Sequence, residues 1–106
     1  MNEKEKYYYA TRSNIIKAMA HPSRLFILEK LKEQEHCVCE LTKMLGFDAS
    51  TISKHLSVLK NAGLVKDEKR GLNVYYSLVI PCILDILNCI DSAIEEKAKL
   101  NLDMMK

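Results

Sequence analysis

The chain has 106 residues, 48% of them apolar, so it is long enough for one compact domain with a core and too short for two. It contains only three glycines and two prolines, which argues against a loop-rich or disordered chain. A formal net charge of +2 is only mildly basic, so charge alone does not indicate a nucleic-acid partner.

The sequence shows no targeting or membrane segment. Its first six residues are mostly charged and no apolar stretch follows them, unlike a secretory signal. The apolar run from Val79 to Leu84 is far shorter than a membrane span. We therefore expect a soluble, cytoplasmic protein. In that compartment its four cysteines are candidate metal ligands, redox sensors or small buried hydrophobes.

Apolar periodicity predicts two helices in the first third of the chain. The first spans Tyr7 to Met19, and His21-Pro22 ends it. Pro22 suits the first position of a second helix, where its missing N–H costs nothing. The predicted inner face of that helix consists of Leu25, Leu28 and Leu31. A polar linker, residues 33–36, follows.

Two shorter helices come next, joined by a tight turn. The third is predicted from Cys37 to Leu45, with Gly46 placed for a left-handed C-terminal residue. Asp48 is a suitable N-cap for the fourth, and Gly63 ends it. The predicted buried stripe of the fourth helix consists of Ile52, His55, Leu56 and Leu59.

A β-hairpin and a long helix complete the chain. The strands are predicted at 64–68 and 74–78, with a turn at 69–73. Pro81 opens the last helix, whose narrow apolar seam consists of Ile83, Leu87, Ile90 and Ile94. The fold class is therefore mainly α with a β-hairpin wing. We expect one winged helix-turn-helix domain over 1–106, with the helix-turn-helix at 37–63, the wing at 64–79 and a dimerisation helix at 81–102.

The fourth helix has the character of a DNA-reading element. The face opposite its buried stripe carries hydroxyl, amide and ammonium groups but no acid, which suits base edges and phosphates in a major groove. Its members are Ser50, Thr51, Ser53, Lys54, Ser57, Lys60 and Asn61. Lys69, Arg70 and Asn73 make the hairpin a candidate wing for the DNA backbone. His55 and His21 are expected to be structural.

Three stretches resemble the ArsR/SmtB family of metal-responsive winged-helix repressors. They are Ala18–Leu25, Cys37–Leu41 and Ser50–Val65. The Cys-Val-Cys-Glu-Leu motif resembles the arsenite and soft-metal branch of that family. The resemblance implies a homodimer formed by the first and last helices, which binds an inverted-repeat DNA operator and releases it when an inducer binds. The apolar seam of the last helix agrees, because it has no other place to be buried.

Soft thiolates select soft ions such as arsenic(III) and antimony(III). In a regular helix Cys37 and Cys39 would point to different sides, so joint binding would require the first turn of the third helix to unwind. Such unwinding would misplace the fourth helix. The arsenite sensors of the family often have a third cysteine three residues further on, where this chain has Thr42. The candidate third ligands are Cys82 and Cys89, which lie seven residues apart on the last helix. That helix has no histidine, so we expect no zinc- or nickel-type site there.

Two alternatives use the same thiols. A disulfide that bridges Cys37 or Cys39 to Cys82 or Cys89, or a persulfide on one of the thiols, would make a redox-responsive repressor on the same fold. A metal carrier or thiol-exchange protein would also use a Cys-Val-Cys pair. However, the sequence shows no catalytic dyad, glycine-rich loop or paired-carboxylate cleft, and an enzyme is not expected.

Overall fold

The fold is described from a computed structural model, which covers residues 1–105. Five α-helices and a small antiparallel sheet follow one another along the chain. The helices are α1 (Glu3–Met19), α2 (Pro22–Glu33), α3 (Val38–Leu45), α4 (Ala49–Asn61) and α5 (Ile86–Met104). The strands are β1 (His36–Cys37), β2 (Val65–Arg70) and β3 (Asn73–Leu78), and a 3₁₀ turn spans Pro81–Asp85. No helix within residues 1–105 is long and apolar enough to cross a membrane.

The helix boundaries follow from capping residues. α1 begins four residues earlier than predicted because Asn2 and Glu5 form a reciprocal capping box before the apolar stripe starts. Pro22 opens α2 as expected, with the His21 ring accepting a hydrogen bond from the Ser23 amide. Asp48 caps α4 by accepting the Thr51 amide at 2.8 Å.

Glycines terminate α3 and α4 in the predicted places. Gly46 follows α3 with a φ of 75°, and Gly63 follows α4 with a φ of 80°. Leu64 then turns back, donating its amide to the Leu59 carbonyl at 3.0 Å, and its side chain is buried. This C-cap fixes where the chain leaves α4 and enters β2.

The sheet has three strands in the order β1-β3-β2, one more than the predicted hairpin. Residues 36–37 were predicted to lie in a linker and a helix, but they pair with Tyr76 and Tyr75 of β3. A two-residue strand has no periodicity to reveal it, and its partner lies far along the sequence. The hairpin turn is also tighter than expected: Arg70 pairs with Asn73, so only Gly71 and Leu72 form the turn.

One core joins α2, α3 and α4 to the base of the wing. Its fully buried side chains are Ile27, Leu28, Leu41, Ile52, Leu56 and Leu59. The predicted apolar stripe of α4 is confirmed, except that His55 is only half-buried. On α2 the buried set includes Ile27, whereas Leu25 is half-buried. The core therefore fixes α3 and α4 against each other and against the sheet.

The C-terminal segment differs from the other helices. Pro81 starts a 3₁₀ turn rather than the long helix itself, and α5 begins at Ile86. No residue of α5 is buried. The predicted seam residues Ile90 and Ile94 are 45% and 61% exposed. The apolar face of α5 therefore lacks a covering element within residues 1–105.

Candidate DNA-reading surface and cysteine site

The core holds α4 so that one face points outward. Ser53, Lys54, Ser57 and Lys60 are exposed on this face. Two other predicted contact residues bind Asp48, the N-cap of α4. The Ser50 hydroxyl donates to its carboxylate at 3.1 Å, and the amide of half-buried Thr51 donates to it at 2.8 Å. Lys60 forms an ion pair with Asp67 at 3.0 Å. Lys54 has no ion-pair partner among the described residues.

Lys69 and Arg70 lie at the end of β2 instead of in the hairpin turn. The Arg70 guanidinium bonds to both carboxylate oxygens of Glu35, which precedes β1, and also to Glu68 at 3.0 Å. It lies 5.0 Å from the centre of the Tyr75 ring. The hydrogen bond with Glu35 is the main cause that raises the pKa of Arg70, and the one with Glu68 raises it further. Arg70 is thus tied to the segment that leads into the cysteines.

The cysteine pair differs from the prediction in one important respect. Cys37 lies in β1 and is the N-cap of α3, with an extended backbone, so only Cys39 is inside the helix. Their Cα atoms are 5.4 Å apart and their sulfurs are joined as a disulfide. The expectation that the two thiols diverge unless the helix unwinds is therefore wrong, because the helix starts one residue later. Cys37 is 2% exposed, whereas Cys39 is exposed.

Two neighbours that the sequence reasoning missed hold this segment in place. The Glu40 carboxylate accepts the Cys37 amide at 3.2 Å and the Nδ1–H of buried His36 at 3.1 Å. The hydrogen bond from His36, followed by that from Cys37, lowers the pKa of Glu40. A glutamate three residues after an N-cap is the signature of a capping box, so the Glu40 contact could have been found. The pairing with His36 could not, since it depends on β1.

The other two cysteines lie elsewhere. Cys82 is in the 3₁₀ turn and Cys89 is in α5, so their spacing of seven does not place them on one face of a single helix. Both are exposed. Cys82 lines an apolar groove between the 3₁₀ turn and α1, beside Ile16 and Ile86. No three His, Cys, Asp or Glu residues of the described chain are grouped so as to hold a metal ion.

Behind the reading face, two histidines and an arginine connect α4 to α2. Arg24 donates to Nδ1 of His55 at 3.3 Å and to the Ala18 carbonyl at 2.6 Å. The rings of His21 and His55 lie 4.6 Å apart. Burial is the main cause that lowers the pKa of His55, and the charges of His21 and Arg24 lower it further. Both histidines therefore make structural contacts, as the sequence indicated.

A cleft of about 560 Å³ separates α3, α4 and the wing. Cys39 and Lys43 line it from α3, Ser53 lines it from α4, and Leu72 and Asn73 line it from the wing. The exposed thiol position is thus next to a side chain of the predicted reading face.

Comparisons with known proteins agree on the family. The family model described as bacterial regulatory protein, arsR family, matches residues 21–67. An HTH-type transcriptional regulator of Methanocaldococcus jannaschii is 40% identical over 88 residues, which cover 82% of this chain and 97% of that protein. A transcriptional repressor SmtB homolog of Synechocystis is 35% identical over 74% of this chain and 60% of its own.

A solved structure extends the likeness to the whole fold. The crystal structure of NolR from Sinorhizobium fredii superposes with a TM-score of 0.79 at 28% identity, covering 88% of this chain and 93% of that one. The order of the helices, the hairpin wing and the relatives lead to one conclusion. The chain belongs to the ArsR/SmtB family of winged-helix transcriptional repressors and is not an enzyme.

Proposed function

We propose that this protein is a dimeric, cytoplasmic repressor that binds an inverted-repeat DNA operator and releases it when a soft metal(loid) binds Cys37 and Cys39. One observation carries the proposal: a pair of cysteines close enough to form a disulfide begins α3, the helix that packs on α4. A change at the pair therefore has a direct path to the DNA-binding surface.

The DNA contacts follow from the exposed side chains. Ser53, Lys54 and Ser57 project from α4, which contains no acidic residue, and Lys69 projects from the wing. Ammonium groups attract phosphates, and short hydroxyls donate to or accept from phosphates and base edges. Ser50, Thr51 and Lys60 are weaker candidate contacts, because each is already engaged or half-buried within the chain. Arg70 is held by Glu35 and Glu68 and is assigned to the support of the wing.

The dimer follows from the uncovered apolar surface. Ile86 and Ile90 of α5 are exposed beside Ile16 and Met19 of α1 and form one continuous apolar groove. A groove of this kind on a small chain marks an interaction site. A second copy would place two α4 helices on one DNA duplex, which matches a two-fold symmetric operator.

Arsenic(III) or antimony(III) fits the adjacent thiols, because both ions favour sulfur ligands. Reduced Cys37 and Cys39 supply two thiolates without any unwinding of α3. The third thiolate would come from Cys82 or Cys89 of a second copy, since none within residues 1–105 joins the pair. Binding would pull on Cys37, which is also paired with Tyr75 at the base of the wing.

A redox-responsive repressor is the second candidate, and the Cys37–Cys39 disulfide favours it. Two thiols would lose two electrons and two protons to an oxidant as the S–S bond forms. The relevant bond is then local, in place of the bridge to Cys82 or Cys89 that the sequence suggested.

A gel-shift titration on DNA upstream of the gene for this protein tests both candidates. Reduced protein is titrated with arsenite, antimonite, cadmium, lead or zinc, and a parallel series receives oxidant without metal. Release at near-stoichiometric soft metal under reductant supports the metal sensor. Release only by oxidant, reversed by thiol, supports the redox candidate. Absence of any retarded complex would contradict DNA binding itself.

A further inference from the structure

We infer that the cleft beside Cys39 is itself part of the DNA interface and binds a stretch of phosphodiester backbone between α4 and the wing. DNA and any adduct on Cys39 would then compete for the same space. This inference rests on the proposed DNA binding by α4. It adds a binding site and a mechanism of release that does not require α3 to be distorted.

The position of the cleft supports this assignment. Its walls are α3, the N-terminal part of α4 and the tip of the wing. When α4 enters a major groove and the wing reaches the neighbouring minor groove, the sugar-phosphate strand between those grooves must pass between the two elements. The cleft occupies that place, and its volume of about 560 Å³ is open to solvent.

The chemistry of the walls also suits a phosphate. Lys43 contributes an ammonium group, and Ser53 and Asn73 contribute a hydroxyl and an amide group. The residues that line the cleft include no carboxylate, and Lys43 has no ion-pair partner in the part of the chain that the structure describes. Lys43 thus becomes a DNA contact that periodicity did not reveal, because it belongs to α3 and not to α4.

Cys39 is the exposed member of the pair and lies on the wall of this cleft, whereas Cys37 is buried behind it. A group attached to the Cys39 sulfur would therefore occupy the seat of the backbone. A negatively charged group would also repel the phosphates. Bound DNA should therefore shield Cys39 from thiol reagents, and an adduct on Cys39 should weaken DNA binding.

Thiol protection tests the site directly. Reduced wild-type protein and a Cys37→Ser variant are treated with iodoacetamide, with and without a saturating operator duplex, and each cysteine is followed by peptide mass spectrometry. We expect operator to slow alkylation of Cys39 at least tenfold and to change that of Cys82 and Cys89 less than twofold. Equal alkylation of Cys39 in a complex that a gel shift shows to be fully formed would overturn the inference. Absence of a complex with either protein would overturn the proposed function, and this inference with it.

A matched pair of adducts separates competition from distortion. In a Cys37→Ser/Cys82→Ser/Cys89→Ser variant, Cys39 is alkylated with iodoacetate or iodoacetamide, which leave groups of similar size that differ by one negative charge. At low salt, the charged adduct should weaken operator binding at least tenfold more than the neutral adduct does. This difference in affinity should become smaller as the salt concentration increases. Equal losses at all salt concentrations would contradict a phosphate seat.

Lys43→Gln provides an independent test that leaves the cysteines untouched. The proposed dimer would lose one phosphate contact from each subunit, so the slope of log affinity against log salt should decrease by about 1.8, which is about 0.9 for each contact. Lys32→Gln, an exposed lysine of α2 beside acidic residues, is the control and should leave the slope unchanged. Identical slopes for Lys43→Gln and wild type would exclude Lys43 from the seat.

Discussion

Arg70 and Lys69 are adjacent cations with different surroundings. The Arg70 side chain is bound on both sides by Glu35 and Glu68, whereas Lys69 has no ion-pair partner within the described residues. An exposed ion pair contributes only about 0.2–1 kcal/mol, but a bidentate arginine in a small network also fixes geometry. We interpret Arg70 as the residue that fastens the wing to the segment before β1.

Salt dependence distinguishes the two roles. Lys69→Ala should reduce the slope of log operator affinity against log salt by about 1.8, because the dimer loses one phosphate contact from each subunit. Arg70→Ala should weaken binding with little change in slope, and Glu35→Ala should reproduce its effect. A reduced slope for Arg70→Ala together with a silent Glu35→Ala would instead make Arg70 a phosphate contact.

His55 gives the fold a pH dependence with a definite sign. Its pKa is lowered in the folded state by burial and by the charges of His21 and Arg24, so the unfolded chain binds the proton more readily. The stabilisation is therefore complete above the unfolded pKa of about 6.5 and is lost as the pH falls below it. The melting temperature should be lower at pH 5.5 than at pH 7.5, and His55→Gln should make this difference smaller. An unchanged difference in the variant would show that other groups cause it.

At the scale of the element, local signals predicted most of the helices. Pro22, Gly46 and Asp48 marked boundaries that the structure reproduces, because a cap depends only on residues within one turn. β1 was not predictable, since its two residues are a strand only by pairing with β3, some 40 positions away. That missed strand is why Cys37 was assigned to a helix and the geometry of the thiol pair was wrong.

Lys54 tests the assignment of α4 as the reading element. Lys54→Glu reverses a charge in the middle of the exposed face, so operator binding should be lost at physiological salt. The apolar stripe is untouched, and the far-ultraviolet circular dichroism and the oligomeric state should match those of wild type. Lys32→Glu, the same reversal on α2, should bind operator with near-normal affinity. Normal binding by Lys54→Glu would refute the assignment.

At the scale of the whole molecule, the uncovered face of α5 predicts a dimer. Ile90→Glu places a charge in the apolar groove between α1 and α5, so the variant should elute as a monomer in size-exclusion chromatography with light scattering. Ser92→Glu adds the same charge two residues further on and is the control, because Ser92 does not line the groove. A dimeric Ile90→Glu variant would place the interface elsewhere.

The sequence predicted that two cysteines begin the helix beside α4, but it did not predict the geometry of the pair. Residue types alone indicated thiols beside a reading helix, and the exposed face of α4 could be deduced from its buried stripe. The cleft at Cys39 and the Glu35–Arg70 pair required the three-dimensional arrangement, because each joins residues that are distant in sequence.

The most direct test of the central claim is a fluorescence-anisotropy titration of an operator duplex. The duplex is bound by wild-type protein or by a Cys37→Ser/Cys39→Ser variant. Each complex is then titrated with the most effective inducer from the gel-shift series. We predict that both proteins bind operator, because neither cysteine lies in α4. Inducer should release only the wild type, near one equivalent per site. Full release of the double variant at the same inducer concentration would contradict the account.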